Sequence, residues 1–339
     1  MEPNLRTPRR AAAAQIPNKI LVAPDSFKGT FSSSAVAAAV ARGVAARGLA
    51  VDECPVADGG EGTLEALRAE LGLDIRLAPA RDPLGREIEA PFGVGGRVAL
   101  VETAAASGLG LVTPGERDAF AASTFGTGEL IRVAVDAGAS TVYVAVGGSA
   151  TTDGGAGAVR AIRRGGGLRG ARLVVLCDVR TPFEDAARVF GPQKGAHPPT
   201  VARLTRRLQA LARRLRRDPR GMPMTGAAGG LAGGLWAEFG AELVAGAPFV
   251  LETLGFDRRM REARAVVTGE GKLDQQSLAG KLVSEVATRA RQSGVPCYAV
   301  VGVRELDSFG ARMLDLQTVI EAGTTAALEA AGERLAELV

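Results

Sequence analysis

The chain is predicted to be an α/β protein in two parts. A doubly wound parallel sheet would be assembled from both chain ends, and a mixed-sheet α/β domain would be inserted between them, with a cleft where the two meet. Three observations predict this. Residues 19–71 alternate strand, polar or glycine-rich loop and helix, the pattern by which a parallel sheet is wound. Residues 74–103 hold short strands joined by turns with no helix between them, a meander that demands antiparallel or mixed pairing. Residues 265–271 then repeat the layout of the beginning, an apolar strand running into glycine and acid. With 339 residues there is room for about two domains. Residues 19–70 and 262–339 are assigned to the first, 71–261 to the second, and 1–18 to a disordered extension.

Each element has its own local reason. Lys19-Ile20-Leu21-Val22-Ala23 is a buried-strand run, stopped by Pro24-Asp25-Ser26-Phe27-Lys28-Gly29. Residues 32–47 read as a helix rich in alanine and valine, with Ser32 or Ser33 supplying the capping oxygen. A strand over 51–56 ends in Asp58-Gly59-Gly60-Glu61-Gly62, and 63–71 read as a helix. The meander follows as strands 74–79, 87–91 and 97–103, separated by Asp82-Pro83-Leu84-Gly85 and by the glycines of 93–96. A helix over 126–138 and strands over 141–146 and 172–179 restore the alternation. The first of these strands runs into Gly147-Gly148-Ser149-Ala150-Thr151-Thr152-Asp153-Gly154-Gly155, and a helix opens at 156–164. Near the end come strand 265–271, helix 278–292, strands 296–302 and 316–321, and helix 326–338.

Bulk properties narrow the class. The chain is 46% hydrophobic and 23% charged, as expected of a soluble globular protein, and its 45 glycines cluster after apolar runs rather than in a linker. The net charge of +4 is uneven, since residues 203–217 are crowded with arginine. Leu204, Leu208, Leu211 and Leu215 recur there at helical spacing, and no aromatic residues accompany the charge, so an amphipathic helix with a solvated arginine face is preferred to a nucleic-acid footprint. Cys54, Cys177 and Cys297 are far apart and show no C-x-x-C spacing, which argues against a disulfide framework or structural zinc and fits a reducing cytoplasm. A single histidine, His197, leaves no histidine cluster for zinc. No apolar run reaches transmembrane length, and the alanines after Arg9 and Arg10 are too few for a signal-peptide core. Neither a nucleic-acid nor a membrane partner is expected.

The segments that carry chemistry lie at predicted strand ends, where ligands bind in open α/β sheets. They are Asp25-Ser26-Phe27-Lys28, Asp58 to Gly62, Gly147 to Gly155, Cys177-Asp178-Val179 and Thr268-Gly269-Glu270-Gly271-Lys272-Leu273-Asp274. Phe190-Gly191-Pro192-Gln193-Lys194-Gly195-Ala196 is a further rigid turn. Any one of them could be an ordinary turn or strand brace, because Asp-Gly pairs form turns. Residues 227–234 are better explained by close helix packing. Jointly, acids, lysines and glycine loops suit phosphoryl transfer, which needs N–H groups and lysines on phosphates, carboxylates on Mg²⁺ and one carboxylate on the accepting hydroxyl. Neither a Walker nor a dinucleotide fingerprint is present.

In this order the segments resemble the type I bacterial glycerate kinases. The matching strings are 23–29, 55–63, 102–109, 147–157, 177–179, 190–196, 226–230 and 268–281, within about residues 19–303. The resemblance implies ATP- and Mg²⁺-dependent phosphorylation of D-glycerate, usually at the 2-hydroxyl, by a two-domain α/β protein with a Rossmann-like part and the substrate between the domains. It makes Asp178 the candidate base, with Lys194 beside it in catalysis. Asp25, Ser26, Lys28, Asp58 and Gln193 would contact substrate. Gly147, Gly148, Ser149, Thr151, Gly269, Glu270 and Lys281 would hold the nucleotide, and Asp153 and Asp274 the metal. The protein would be a cytoplasmic monomer or homodimer.

The chain departs from the family pattern in three places. It is short between Arg164 and Arg172, it reads Arg180-Thr181-Pro182-Phe183 after the candidate base, and the match fades after about Gly302. The lid, the loop beside the base and the last strands are the parts affected. The alternatives are a kinase making 3-phosphoglycerate or acting on another small hydroxy acid, and a non-catalytic nucleotide- or metabolite-binding protein.

Overall fold

The computed structural model describes residues 18–279 and 282–339. Eleven strands are found among these residues: β1 Lys19–Pro24, β2 Ala50–Glu53, β3 Asp74–Arg81, β4 Glu87–Gly95, β5 Val98–Glu102, β6 Thr141–Ala145, β7 Arg172–Cys177, β8 Glu242–Ala245, β9 Ala265–Leu273, β10 Cys297–Arg304 and β11 Leu316–Glu321. They form two sheets. The first has the order β11-β10-β9-β1-β2 and is parallel throughout. The second has the order β3-β4-β5-β6-β7-β8, antiparallel from β3 to β5 and parallel from β5 to β8. The α/β class, the parallel sheet from both chain ends and the inserted mixed sheet are therefore as expected. The strand β8 and the helices Gly246–Thr253, Phe256–Arg261 and Ser308–Met313 were not anticipated.

The local signals act as their chemistry requires. Ser32 Oγ accepts from Ala35 N at 3.2 Å and starts the helix Ser33–Ala46. Thr324 Oγ1 does the same for Ala327 N at the head of Thr325–Leu338. These two helices cover one face of the first sheet and cross at Gly43 and Gly332, where a Cβ on either would strike the other helix's backbone carbonyl. Ile20, Val22, Val36, Val40, Val267, Val300, Leu328 and Leu335 form the core beneath them. The core on the opposite face takes residues from both sheets, among them Leu21, Leu67, Leu100, Val250, Phe256 and Val266. Burying so continuous an apolar surface fixes the sheets against one another.

The basic helix is Pro198–Ala212, with Leu204 and Leu208 buried as the leucine spacing predicts. Its arginines are engaged within the protein: the Arg203 and Arg207 guanidinium groups lie 4.3 and 5.2 Å from the Phe120 ring centre. Arg217, just beyond the helix, lies 4.8 Å from that of Trp236. Among the described residues no helix is long and apolar enough to cross a membrane. The proposed tail, apart from Asn18, lies outside the described residues.

Two topological facts position the site. In the first sheet the chain runs from β1 outward to β2 on one side, and from β9 outward to β10 and β11 on the other. The switch point falls between β1 and β9, the place where loops diverge and leave a crevice at the strand ends. The segment after β2 then crosses to the second sheet. There Gly59 and Gly60 meet that sheet with no room for a side chain: a Cβ on Gly59 would come within 2.7 Å of Gly246 Cα, and one on Gly60 within 3.0 Å of Gly147 Cα. Loops at the carboxyl ends of both sheets are thereby brought together. The shortened stretch after the helix Ala156–Arg164 leads into the amino end of β7, opposite these loops.

Candidate active site

At the switch point of the first sheet lies a cavity of about 430 Å³ lined by Asp25, Ser26, Lys28, Asp58, Glu270 and Asp274. Asp25 to Lys28 follow β1, Asp58 follows β2, Glu270 stands near the end of β9 and Asp274 follows it. Residues read separately as substrate, nucleotide and metal contacts thus share one wall. Lys272, within the chemistry-bearing segment 268–274, also lines the cavity, as do Thr30, Gly302, Val303 and Gly323, which were not singled out from the sequence. Their only sequence signal is position at or just beyond a strand end or in the adjoining turn. Lys281 lies outside the described residues. Gly269 lies beneath the wall: it pairs with Pro24 and Val300 in the sheet, and its carbonyl accepts from Asp25 N at 2.8 Å.

The electrostatics of this wall are crowded. Lys28 Nζ lies 3.3 Å from Asp58 Oδ2. The Asp58 charge, more than any other influence, holds the ammonium above its ordinary range, with Asp25 and Asp178 adding to it against the cost of burial. Asp25 is 6% exposed. Burial first, then the charges of Asp58 and Glu270, push its carboxyl well above the usual carboxylate range, although Lys28 and the Ser26 N–H at 2.7 Å pull the other way. Glu270 Oε1 accepts from Ser277 Oγ at 2.5 Å, and Asp274 Oδ1 from Gln276 N at 2.8 Å.

A second group is built on the other sheet. The turn Pro192–Lys194, closed by Gly195 at φ 86°, folds Lys194 inward until only 2% is exposed. Its Nζ donates to Ser149 Oγ at 2.8 Å and to the Thr151 carbonyl at 2.6 Å. Burial lowers the Lys194 pKa to about 7, opposed by the charges of Asp153 and Asp178. Gln193, its neighbour, is exposed. Thr151 Oγ1 and Thr152 Oγ1 are buried with no hydrogen-bond partner.

Asp178 is within electrostatic reach of both groups. It follows β7, and its charge acts on Lys28 from the first sheet and on Lys194 from the second. The chemical capacity of the arrangement follows: one ammonium and one buried amine that an anion can charge, with a carboxylate in electrostatic reach of both.

The glycine-rich loop is braced from within. Asp153, read as a metal ligand, is 1% exposed and spent on bracing. Its oxygens accept from Thr124 N at 3.0 Å, Thr124 Oγ1 at 2.9 Å, Gly155 N at 3.0 Å and Gly157 N at 3.0 Å. Three of these donors fall on Oδ2 and one on Oδ1, so the carboxylate braces the loop, and Asp153 is not among the residues lining the cavity. Part of the loop's backbone is also spent within the protein. Ala150 N donates to Ser107 O and Gly154 N to Gly229 O, in addition to the Gly155 and Gly157 bonds to Asp153. The 227–234 segment is close packing, as expected, and the backbone of Gly229 presses on that of Thr151. Replacing Asp153 by Ala is expected to cost on the order of 3 kcal/mol of stability, since charge-assisted bonds to buried N–H groups are lost together. Urea unfolding checks this, and titration with Mg²⁺ should show no change in affinity.

Comparison with known proteins agrees with this geometry. The family model "Glycerate kinase family" matches residues 20–165 and 165–338, its two runs meeting where the chain was read as short. The glycerate 2-kinase of Escherichia coli K12 is 37% identical over 325 residues, covering 84% of this chain and 85% of the relative. The glycerate kinase of Bacillus subtilis 168 is 38% identical over 329 residues, covering 86% of each chain. A crystal structure described as glycerate kinase 2 from Salmonella typhimurium LT2 superimposes with a TM-score of 0.77 at 33% identity, covering 94% of this chain and 97% of that one. With the family model spanning nearly the whole described chain and relatives matched over most of their length, the protein belongs to the glycerate kinase family of enzymes.

Proposed function

We propose that the protein transfers the γ-phosphoryl group of ATP, with Mg²⁺, to the 2-hydroxyl of D-glycerate. The observation that carries this reading is the placement of Asp178 under the influence of Lys28 and Lys194, which come from opposite sheets. Phosphoryl transfer needs little covalent chemistry from a protein. It needs positive charge around the phosphoryl oxygens and a carboxylate at the attacking hydroxyl.

In this reading Asp178 accepts the hydroxyl proton as the glycerate oxygen bonds to the γ-phosphorus, and the bond from that phosphorus to the β-bridging oxygen breaks. Lys194 and Ser149, with the turn carrying Gln193, hold anionic oxygens on the side of the second sheet. Lys28, Ser26 and Asp58 hold the reactants from the first.

The donor set bears on the metal. Among the described residues no three Asp, Glu, His or Cys side chains converge to hold an ion by themselves. Carboxylates nevertheless line the cavity at Asp25, Asp58, Glu270 and Asp274. That fits Mg²⁺, which is held by one or two carboxylates together with substrate phosphates and water. Glu270 and Asp274 would hold it, and its charge would offset the phosphate negative charge.

A coupled assay with D-glycerate, L-glycerate and hydroxypyruvate, followed by NMR of the product, tests the proposal. D-Glycerate-dependent turnover with phosphate on the 2-oxygen is expected. Absence of glycerate-stimulated turnover would overturn it, and phosphate on the 3-oxygen would overturn the regiochemistry.

A further inference from the structure

We infer that Glu102 is a positioning residue for the Asp58–Lys28 pair, gripping from the second sheet the backbone segment that presents Asp58 to the first. This rests on the proposed role of Asp58 and Lys28 in holding substrate.

The geometry is specific. Asp58 belongs to neither sheet; it sits in the crossing segment after β2, and its distance from Lys28 depends on how that segment is tied down. On the first sheet the tie is the continuation of the ladder, Cys54 N to Val22 O at 2.8 Å and Val56 N to Pro24 O at 3.1 Å. Beyond Asp58 the segment is held by contact with Gly147 and Gly246 and by Glu102. Glu102, the last residue of β5, is partly buried, and its Oε1 accepts from Leu64 N at 2.8 Å. The Gly62 N–H is also within its reach as a donor. These N–H groups open the short helix Thr63–Leu67 and have no partner inside it. One carboxylate thus closes the turn Asp58–Gly62 from behind while Asp58 faces Lys28 from the front.

The environment of Glu102 shows that this grip is an imposed arrangement rather than a solvated contact. Its pKa is raised to about 7, by burial first and then by the charges of Glu61 and Glu65, against the Leu64 and Gly62 N–H groups, which lower it. Glu61 lies on the same turn, where its Oε2 would sit 3.5 Å from a Cβ placed on Gly148. A carboxyl crowded by two others is costly at a site with no task beyond solubility.

The test compares wild type with Glu102→Gln and Glu102→Ala. Charge-assisted bonds to the N–H groups are lost in both, while the Gln variant keeps the shape and keeps the test valid if the Ala variant does not fold. The KM for D-glycerate is expected to rise about tenfold or more, the scale set by losing a hydrogen bond to a charged group, with kcat and the KM for ATP changed by less than about threefold. Amide hydrogen exchange over residues 58–67 should accelerate. The rate of Lys28 acylation at pH 9, followed by mass spectrometry, should rise as Asp58 leaves it. An unchanged glycerate KM, or equal effects on both substrates, would overturn the inference, as would Lys28 labelling at the wild-type rate. If wild type shows no glycerate turnover, the proposed function fails, and labelling with hydrogen exchange still decides whether Glu102 holds Asp58 against Lys28.

Discussion

Asp178→Asn is expected to lower kcat by about 10²-fold or more, the usual scale for removing a general base. The variant keeps the shape of the side chain but cannot accept the hydroxyl proton. Because Asp178 acts on lysines from both sheets, a smaller effect on the KM of both substrates should accompany the loss of rate. Steady-state kinetics with D-glycerate and ATP measure both. A near wild-type kcat would remove Asp178 from its proposed role and leave base catalysis to the first-sheet wall, where Asp25 is the next carboxyl to test.

The second large effect concerns Lys194. Its folded-state pKa of about 7 lies below the ordinary lysine value of 10.5. Between these values the unfolded chain holds a proton that the folded protein does not, so stability rises as pH rises through this window. Below about pH 7 the full cost of charging the buried amine is present, several kcal/mol at the exchange rate of 1.36 kcal/mol per pKa step. Lys194→Met should abolish this rise, and the difference between the wild-type and variant urea midpoints should grow in favour of wild type from pH 7 to pH 9.

The same substitution should lower kcat/KM by on the order of 10²-fold or more, because a charge placed for the phosphoryl oxygens is missing. Anion binding should draw a proton onto Lys194 in wild type. Calorimetry of ATP or glycerate binding near pH 8 in buffers of different ionisation heat would show proton uptake in wild type and none in Lys194→Met. Equal uptake in both proteins would place the titrating group elsewhere.

Much of the fold was legible because the signals are local. The helix Ala156–Arg164 and the strand β11 fall at the expected boundaries, since glycine turns and a short apolar run state their own limits. Helix ends elsewhere moved. The helix expected from residue 278 is a 3-10 turn over Ser277–Ala279 and a helix over Leu282–Ser293. The strand β8 and the helices that follow it were missed because residues 242–261 mix charge and apolar residues without a clear period, and are set by burial against both sheets.

For the site, residue type was legible and role was not. Asp153 illustrates why: an aspartate in a glycine turn offers the same signal whether it faces a metal or its own backbone. Only the arrival of Thr124, 29 residues away in the chain, shows that the carboxylate turns inward to brace the loop. Glu102 illustrates the converse. It ends an apolar strand and offers no more than an acid at a strand end, yet it meets Leu64 from 38 residues away.

The sequence by itself determined the class of fold, the strand ends at which chemistry could sit, and the acids, lysines and glycines available there, because strand periodicity, turn chemistry and side-chain type are properties of short segments. The tertiary structure alone decided which of these residues meet. It gathered Asp25, Lys28, Asp58, Glu270 and Asp274 on one wall, turned Lys194 inward on the other sheet, and brought Asp178 within electrostatic reach of both lysines. The physical reason is the switch point between β1 and β9 and the side-chain-free crossing at Gly59 and Gly60. Both arise from contacts between residues remote in the chain, and no local pattern encodes them.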